Sequence, residues 1–367
     1  MEQRPDRRNS VARTALRVLP ALLLAAGILL DYLTPREFSA TPLLTAAPLA
    51  AAPLYTRRGT LLTGLAAVLA ALAVLVGHAE RHIVVAVGAV TELVTVTTVA
   101  ALAVFINAIV TRGHAQLASA REIAEAAQLA VLPEPEERIG GLDVAARYEA
   151  AQAGASIGGD LYAVQDSAYG VRLIVGDVRG KGMGAVAVVA VLIGAFREAA
   201  EQEATLDAVA RRLERALARE GTRRDTVDTF EEFTTAVLAE IPGDGTLVRV
   251  VNRGHPPPLL LLADGTVRAL HEGTAALPLG LGELSALPDH VQEACLPPGA
   301  TLLLHTDGLS EARDAHGVFY DPEARLHGRT FPGPQALLTA LAADVRRHAA
   351  AVGGLTDDMA LLAVRRP

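Results

Sequence analysis

The chain has 367 residues, a formal charge of −8, a hydrophobic share of 51% and an aromatic share of only 4%. That length fits about two domains, and the negative charge argues against the basic face that nucleic acid requires, so no nucleic-acid partner is expected. The single cysteine, Cys295, excludes an internal disulfide framework and a Cys-rich zinc site; it precedes Leu-Pro-Pro-Gly, which reads as a strand end entering a turn.

The first 111 residues are far more apolar than the rest. Val18–Leu30, Ser39–Tyr55, Thr60–Gly77 and Ile83–Thr111 are four apolar stretches, and a membrane-crossing helix needs about 20 such residues. Four spans over residues 1–111 are therefore expected, with a re-entrant second segment as the alternative because prolines 42, 48 and 53 interrupt it. Glu92 interrupts the fourth among threonines 91, 95, 97 and 98; it reads as a carboxylate facing the bundle interior or as a functional group. Arg4, Arg7, Arg8 and Arg13 precede the first stretch, Arg57 and Arg58 follow the second and Arg112 follows the fourth. Positive-inside counting then places both termini in the cytoplasm of a multi-pass protein of the cell membrane, with the lipid bilayer as a partner.

Residues 112–138 form a helical linker: Gln116–Leu132 is rich in helix formers, and Pro133 and Pro135 end it. It reads as a signal-transmitting helix or a passive stalk, and is compatible with a homodimer. From 139 to 367 short apolar runs alternate with a few long helical patterns. Strands are expected at Leu142–Tyr148, Leu161–Val164, Val171–Val178, Phe233–Ile241, Thr246–Val251, Leu259–Leu262, Thr301–His305 and Met359–Val364. Helices are expected at Met183–Glu203, Leu206–Glu220 and Gln335–Ala350. This pattern indicates a layered α+β domain, with Asp244-Gly245 and Asp264-Gly265 as hairpin turns.

Four acidic turns stand out. Gly158-Gly159-Asp160 opens one strand, Asp177 closes another, Asp307-Gly308 follows a third, and Asp357-Asp358 leads into the last. A single Asp-Gly pair is an ordinary turn. Four at strand edges of one domain also suit Mg²⁺ or Mn²⁺, which prefer oxygen ligands and retained water. Two such ions ~4 Å apart activate a water and clamp an in-line displacement at phosphorus. Position alone leaves both readings open.

The motifs Gly141-Leu-Asp-Val-Ala-Ala-Arg-Tyr148, Gly158-Gly-Asp-Leu-Tyr162, Gly176-Asp-Val-Arg-Gly-Lys-Gly182 and Phe233-Thr-Thr-Ala-Val237 recur in order. Asn252-Arg-Gly-His-Pro-Pro-Pro-Leu259, Leu277-Pro-Leu-Gly-Leu281, His305-Thr-Asp-Gly-Leu-Ser-Glu-Ala-Arg313 and Thr356-Asp-Asp-Met359 complete them. Together they resemble the bacterial SpoIIE-type branch of the PP2C metal-dependent serine/threonine phosphatases. The resemblance implies an αββα sandwich and a centre of two Mn²⁺ or Mg²⁺ ions. It implies Asp177 as the bridging ligand with the Val178 carbonyl beside it, and Asp160, Asp307 and Asp357 as the other carboxylates, with Asp358 the second choice at that end. Asp177 and Asp160 are then the catalytic residues. The implied substrate is phosphoserine or phosphothreonine on a protein, such as an anti-sigma-factor antagonist. Ala163 departs from the family, which has an acid there; if that acid assists the metals, activity falls.

Lys181, Arg253 and His255 are further candidates for substrate binding: Lys181 and Arg253 as phosphate cations, His255 as a proton donor to the leaving alkoxide. Structural turns are the competing account for each. Gly154-Ala-Ser156-Ile-Gly158 has the form of a hydrolase elbow, but a strand pattern rather than a helix follows it, so a serine hydrolase using Ser156 is disfavoured. A membrane receptor whose phosphatase-like domain only binds a partner is the non-enzymatic alternative.

Overall fold

A computed structural model describes residues 7–33, 41–79, 83–132, 134–150, 159–180, 182–223, 233–271, 276–284 and 289–367. The chain divides into two compact units, residues 1–119 and 120–367.

The four apolar stretches form helices α1 (Arg7–Leu33), α2 (Thr41–Leu54), α3 (Arg57–Ala79) and α4 (Ile83–Val131). Their exposure pattern is inverted relative to a soluble bundle. Leu22, Leu62, Leu65, Val94 and Phe105 face outward, whereas Thr60 and Asn107 are buried. The Asn107 amide donates to the carbonyls of Ala52 (2.7 Å) and Tyr55 (2.9 Å) at the end of α2. The outward hydroxyls of Thr95, Thr97 and Thr98 return to carbonyls of their own helix. At 14 residues, α2 is about 21 Å long, short of a hydrocarbon core of about 30 Å. Among the described residues, two helical segments are long and apolar enough to cross a membrane, Val90–Gly113 and Met183–Gln202. The second is a core helix of the other unit, so length and composition alone do not establish a four-span region.

That second unit holds two antiparallel sheets. One contains β1 (Arg138–Ile139), β2 (Leu142–Glu149), β7 (Leu259–Leu261), β8 (Val267–Ala269), β10 (Thr301–His305) and β11 (Met359–Arg365), in the order β1-β2-β11-β10-β7-β8. The other contains β3 (Asp160–Ser167), β4 (Gly170–Val178), β5 (Thr234–Ile241), β6 (Leu247–Arg253) and β9 (Gln292–Cys295), in that order. Helices α5 (Met183–Gln202) and α6 (Leu206–Arg223) cover the second sheet, and α9 (Pro334–Ala349) covers the first. Short helices α7 (Asp307–Ser310) and α8 (Pro322–Leu326) precede it. The layers are α, β, β, α.

Local sequence explains the main elements. In β4 residues on both faces are buried, as in a central strand covered by a sheet on one side and a helix on the other. Leu206, Val209, Ala210 and Leu213 make the buried stripe of α6 at helical spacing. One large core, including Leu173, Val175, Phe196, Leu238, Leu302 and Leu362, fills the space between the sheets and under α5 and α6. A second, including Leu303, Leu338 and Leu361, lies beneath α9. Each expected strand and helix is present to within a few residues. The short β1 and helices α7 and α8 are too brief to show a period, while β8 completes the Asp264-Gly265 hairpin and β9 ends at Cys295 as the sequence indicates.

A buried ion pair ties the second sheet to its helix. Arg172 and Glu240 are cross-strand partners, both essentially inaccessible, with Nη2 to Oε2 at 2.6 Å. Arg172 also donates to the carbonyls of Ala200 (2.9 Å) and Glu203 (2.6 Å) at the end of α5. Glu240→Ala strands this guanidinium in the core and is expected to destabilise the unit by about 3–5 kcal/mol. Replacing both partners with Met and Leu should recover most of that loss, as read from chemical denaturation.

Candidate active site

The antiparallel pairing of β3 with β4 puts Asp160 directly opposite Asp177. The turn before β3 packs so tightly that a Cβ on Gly159 would lie 2.2 Å from the Val178 carbonyl oxygen. The other sheet contributes the end of β10 and the start of β11. There a Cβ on Gly308 would lie 1.8 Å from the Asp358 carbonyl oxygen, so Asp307-Gly308 sits against the Asp357-Asp358 turn. The glycines flanking these acids are required by backbone contact.

The acids act on one another. Burial raises the Asp177 carboxyl to about 7, aided by the charges of Asp307, Asp357 and Asp358, and a hydrogen bond joins it to Asp160. Asp160 is pushed well above the usual carboxylate range by burial and by Asp177. Burial also raises Asp307, with Glu311 and Asp357 adding to it. Burial and mutual repulsion thus oppose ionisation of both carboxyls.

Asp357 is half-buried, and its charge weighs more on Asp177 than that of Asp358. Asp358 is buried and accepts the Tyr148 hydroxyl at 2.6 Å; its amide donates to Asp357 at 3.0 Å. The Thr306 hydroxyl donates to Asp160 Oδ2 at 2.7 Å. Tyr148 and Thr306 escaped the sequence reading because strand-end Tyr and Thr are common, and only the fold shows their partners.

The fold bears on three of the residues singled out above, Ala163, Arg253 and His255. Along β3, Gln165 reaches Glu201 of α5 at 3.1 Å, so Leu161, Ala163 and Gln165 face that helix while Asp160 faces the other sheet. Ala163 therefore lies on the opposite face from Asp160 and about 10 Å along the strand. An acid missing there removes no group from the Asp160 side. Arg253 is committed elsewhere: its guanidinium lies 2.8 Å from Asp289 and 3.3 Å from Glu214, and donates to the Leu277 carbonyl at 3.0 Å. Glu214 also accepts the amides of Gly280 (3.0 Å) and Gly282 (2.9 Å). Arg253 thus clamps the Leu277–Leu281 loop instead of offering a free cation to phosphate.

His255 is likewise structural. It is buried, contacts Thr235 Oγ1 through Nδ1 at 3.0 Å and is bracketed by Asn252. Burial, reinforced by His305, depresses it to about 3, so the imidazolium form that would act as a general acid is disfavoured near neutral pH. Its folded value lies below the unfolded 6.5, so it contributes stability above pH 6.5 that is lost as pH falls toward 3. At pH 5 the loss is about 2 kcal/mol. His255→Gln should flatten that part of the difference between melts at pH 5 and pH 7. Lys181 and Ser156 lie outside the described residues.

The donor set fits a divalent cation. All the acids offer hard oxygen, and the strongest charges acting on Asp160, Asp177 and Asp307 are negative. Among the described residues no group of three or more acidic, imidazole or thiol side chains is placed to hold a metal ion by itself; Mg²⁺ and Mn²⁺ commonly keep several waters beside one or two carboxylates.

The sequence family described as Stage II sporulation protein E (SpoIIE) matches residues 167–367. The SiaA-PP2C domain of Pseudomonas aeruginosa has the same fold, with a TM-score of 0.55 at 18% identity over 70% of this chain and 99% of that one. A structure of the PP2C phosphatase domain and part of the regulatory domain of SpoIIE from Bacillus subtilis is 19% identical, with a TM-score of 0.49 over 61% of this chain and 63% of that one. The RsbU and RsbW domains of a Mycobacterium tuberculosis protein are 27% identical, with a TM-score of 0.48 over 61% of this chain and 60% of that one. The chain thus covers less than two thirds of these last two. Asp160 precedes the family match and joins it through its pairing with Asp177. Matched over more than half its length, this chain belongs to the Stage II sporulation protein E (SpoIIE) family, and its αββα sandwich is the fold of the SiaA-PP2C domain.

Proposed function

We propose that this chain is a membrane-anchored, metal-dependent phosphatase that hydrolyses phosphoserine or phosphothreonine on a regulatory protein, of the anti-sigma-factor antagonist type. The observation that carries the reading is the Asp160–Asp177 pair, two carboxyls held together across β3 and β4 under the charges of Asp307, Asp357 and Asp358. In this reading Asp160, Asp177, Asp307 and Asp357 hold two Mn²⁺ or Mg²⁺ ions, with the Val178 carbonyl and Asp358 at the margin. When bound, such ions supply a water of lowered pKa and positive charge for the phosphoryl oxygens.

The chain's own residues provide rigidity. Asp160 and Asp177 sit on adjacent strands, so the ladder sets their separation, and Tyr148 restrains Asp358. Gly159 and Gly308 let the turns that carry the acids pack directly against the Val178 and Asp358 backbone. The test is phosphate release from a phosphoserine peptide by the purified full-length protein. Release that requires Mn²⁺ and Asp177 is expected. Absence of release with Mn²⁺, or release that persists in Asp177→Asn, would overturn the reading and favour a partner-binding receptor.

The membrane part of the proposal rests on the inverted exposure of α1, α3 and α4, whose leucines and valines face outward while Thr60 and Asn107 are buried. Apolar outer surfaces of this extent suit lipid. The arginine distribution places the phosphatase unit in the cytoplasm. Retention of the protein in the membrane pellet after carbonate extraction is expected, and release into the supernatant would count against the anchor.

A further inference from the structure

Thr306 occupies the N-cap position of α7, where a threonine hydroxyl ordinarily accepts a helix amide. Here it makes no such cap. The side chain is instead fully buried and bridges the two sheets. Its hydroxyl oxygen accepts the Ala360 amide at 2.9 Å and lies 2.7 Å from Asp160 Oδ2. Its own amide donates to the Ala360 carbonyl at 3.1 Å, extending the β10–β11 ladder one step beyond the His305–Leu361 pair.

Proton counting fixes the direction of these bonds. A backbone N–H can only donate, so Ala360 uses an acceptor site of the hydroxyl. The hydroxyl proton is then available to Asp160, whose carboxylate Oδ2 accepts it. The bond pins one oxygen of a buried carboxylate to the opposite sheet, beside its contact with Asp177. The same threonine directly precedes Asp307, so one residue sets Asp160 of one sheet in register with Asp307 of the other.

We propose that Thr306 is a positioning residue for the dinuclear metal centre, holding the Asp160 carboxylate as an oriented, hydrogen-bonded ligand. The inference rests on the metal-dependent reading above and adds a residue to it. Removing the hydroxyl while keeping the shape costs the ligand its orientation and leaves the Ala360 amide unpartnered. Outer-sphere hydrogen bonds to metal ligands contribute about 10–100-fold in affinity.

The test is calorimetric titration of the full-length protein with Mn²⁺, alongside phosphate release. Thr306→Val is expected to weaken Mn²⁺ binding by about 10–100-fold, whereas Thr306→Ser, which keeps the hydroxyl, stays within about threefold of wild type. In the Asp160→Asn background Thr306→Val should add little, because both changes act through one ligand. If the valine variant does not fold, Thr306→Ala is read by the same criteria. Unchanged Mn²⁺ affinity in the variant lacking the hydroxyl, an equal loss in Thr306→Ser, or full additivity with Asp160→Asn would each overturn the inference. No Mn²⁺ binding by the wild-type protein would instead overturn the metal reading itself.

Discussion

Asp177→Asn should abolish phosphatase activity and, at the same time, make the metal-free protein more stable. Rate should fall by on the order of 10³-fold, as when a preorganised electrostatic group is removed from a reacting centre. Stability should move the other way because Asp177 is held at about 7 by burial and by the charges of Asp307, Asp357 and Asp358. Its folded value lies above the unfolded 3.8, so the favourable contribution belongs to the protonated form. That contribution is complete below about pH 4, declines as pH rises toward 7 and is absent above it.

An asparagine does not titrate, keeps hydrogen-bonding capacity toward Asp160 and relieves the repulsion. Melting of the metal-free phosphatase unit should therefore rise by several degrees at pH 8, with little difference at pH 4. Adding Mn²⁺ should reverse the order, since wild type gains binding energy that the variant lacks. Equal melting temperatures of variant and wild type at pH 8, with and without Mn²⁺, would show that the acids do not form a strained cation site.

Gly308→Ala should be nearly as damaging for an unrelated reason. A Cβ at this position meets the Asp358 carbonyl oxygen at 1.8 Å and its carbon at 2.8 Å, and neither backbone atom can turn aside. The turn carrying Asp307 must separate from the turn carrying Asp357. Overpacking of this kind costs about 1–3 kcal/mol, while activity should fall by about 10²-fold because a misplacement of an ångström disrupts catalytic geometry. Gly194→Ala is the matched control. Its Cβ meets nothing within 4 Å and it lies inside α5, so it should stabilise by up to about 1 kcal/mol through helix propensity. A Gly308→Ala enzyme with wild-type turnover would show that the two acidic turns do not need this contact.

Much of the site was legible because its signals are local. Asp177 follows an unbroken apolar run, and Asp307-Gly308 follows another, so strand edges and turns could be read from composition alone. Arg253 and His255 were misleading for the same reason. They lie in a strand-to-turn segment that looks like a polar loop, but burial of both, the acidic partners of Arg253 and the Thr235–Asn252 bracket around His255 come from elsewhere in the chain. Ala163 lies only three residues from Asp160, and the strand alternation that turns it toward α5 does not show in the motif itself.

The sequence by itself determined the two-part hydropathy, the α+β character of residues 139–367 and the four acidic turns, since each depends on residues adjacent along the chain. Tertiary structure decided the rest. The last strand, β11, lies between β2 and β10, so Asp357 and Asp358 meet Asp307 only because distant segments pair. Likewise Asp160 and Asp177 become cross-strand partners through antiparallel register, and Thr306 joins Asp160 through a bond between sheets. Long-range pairing and burial set these contacts, and neither has a signature in local composition.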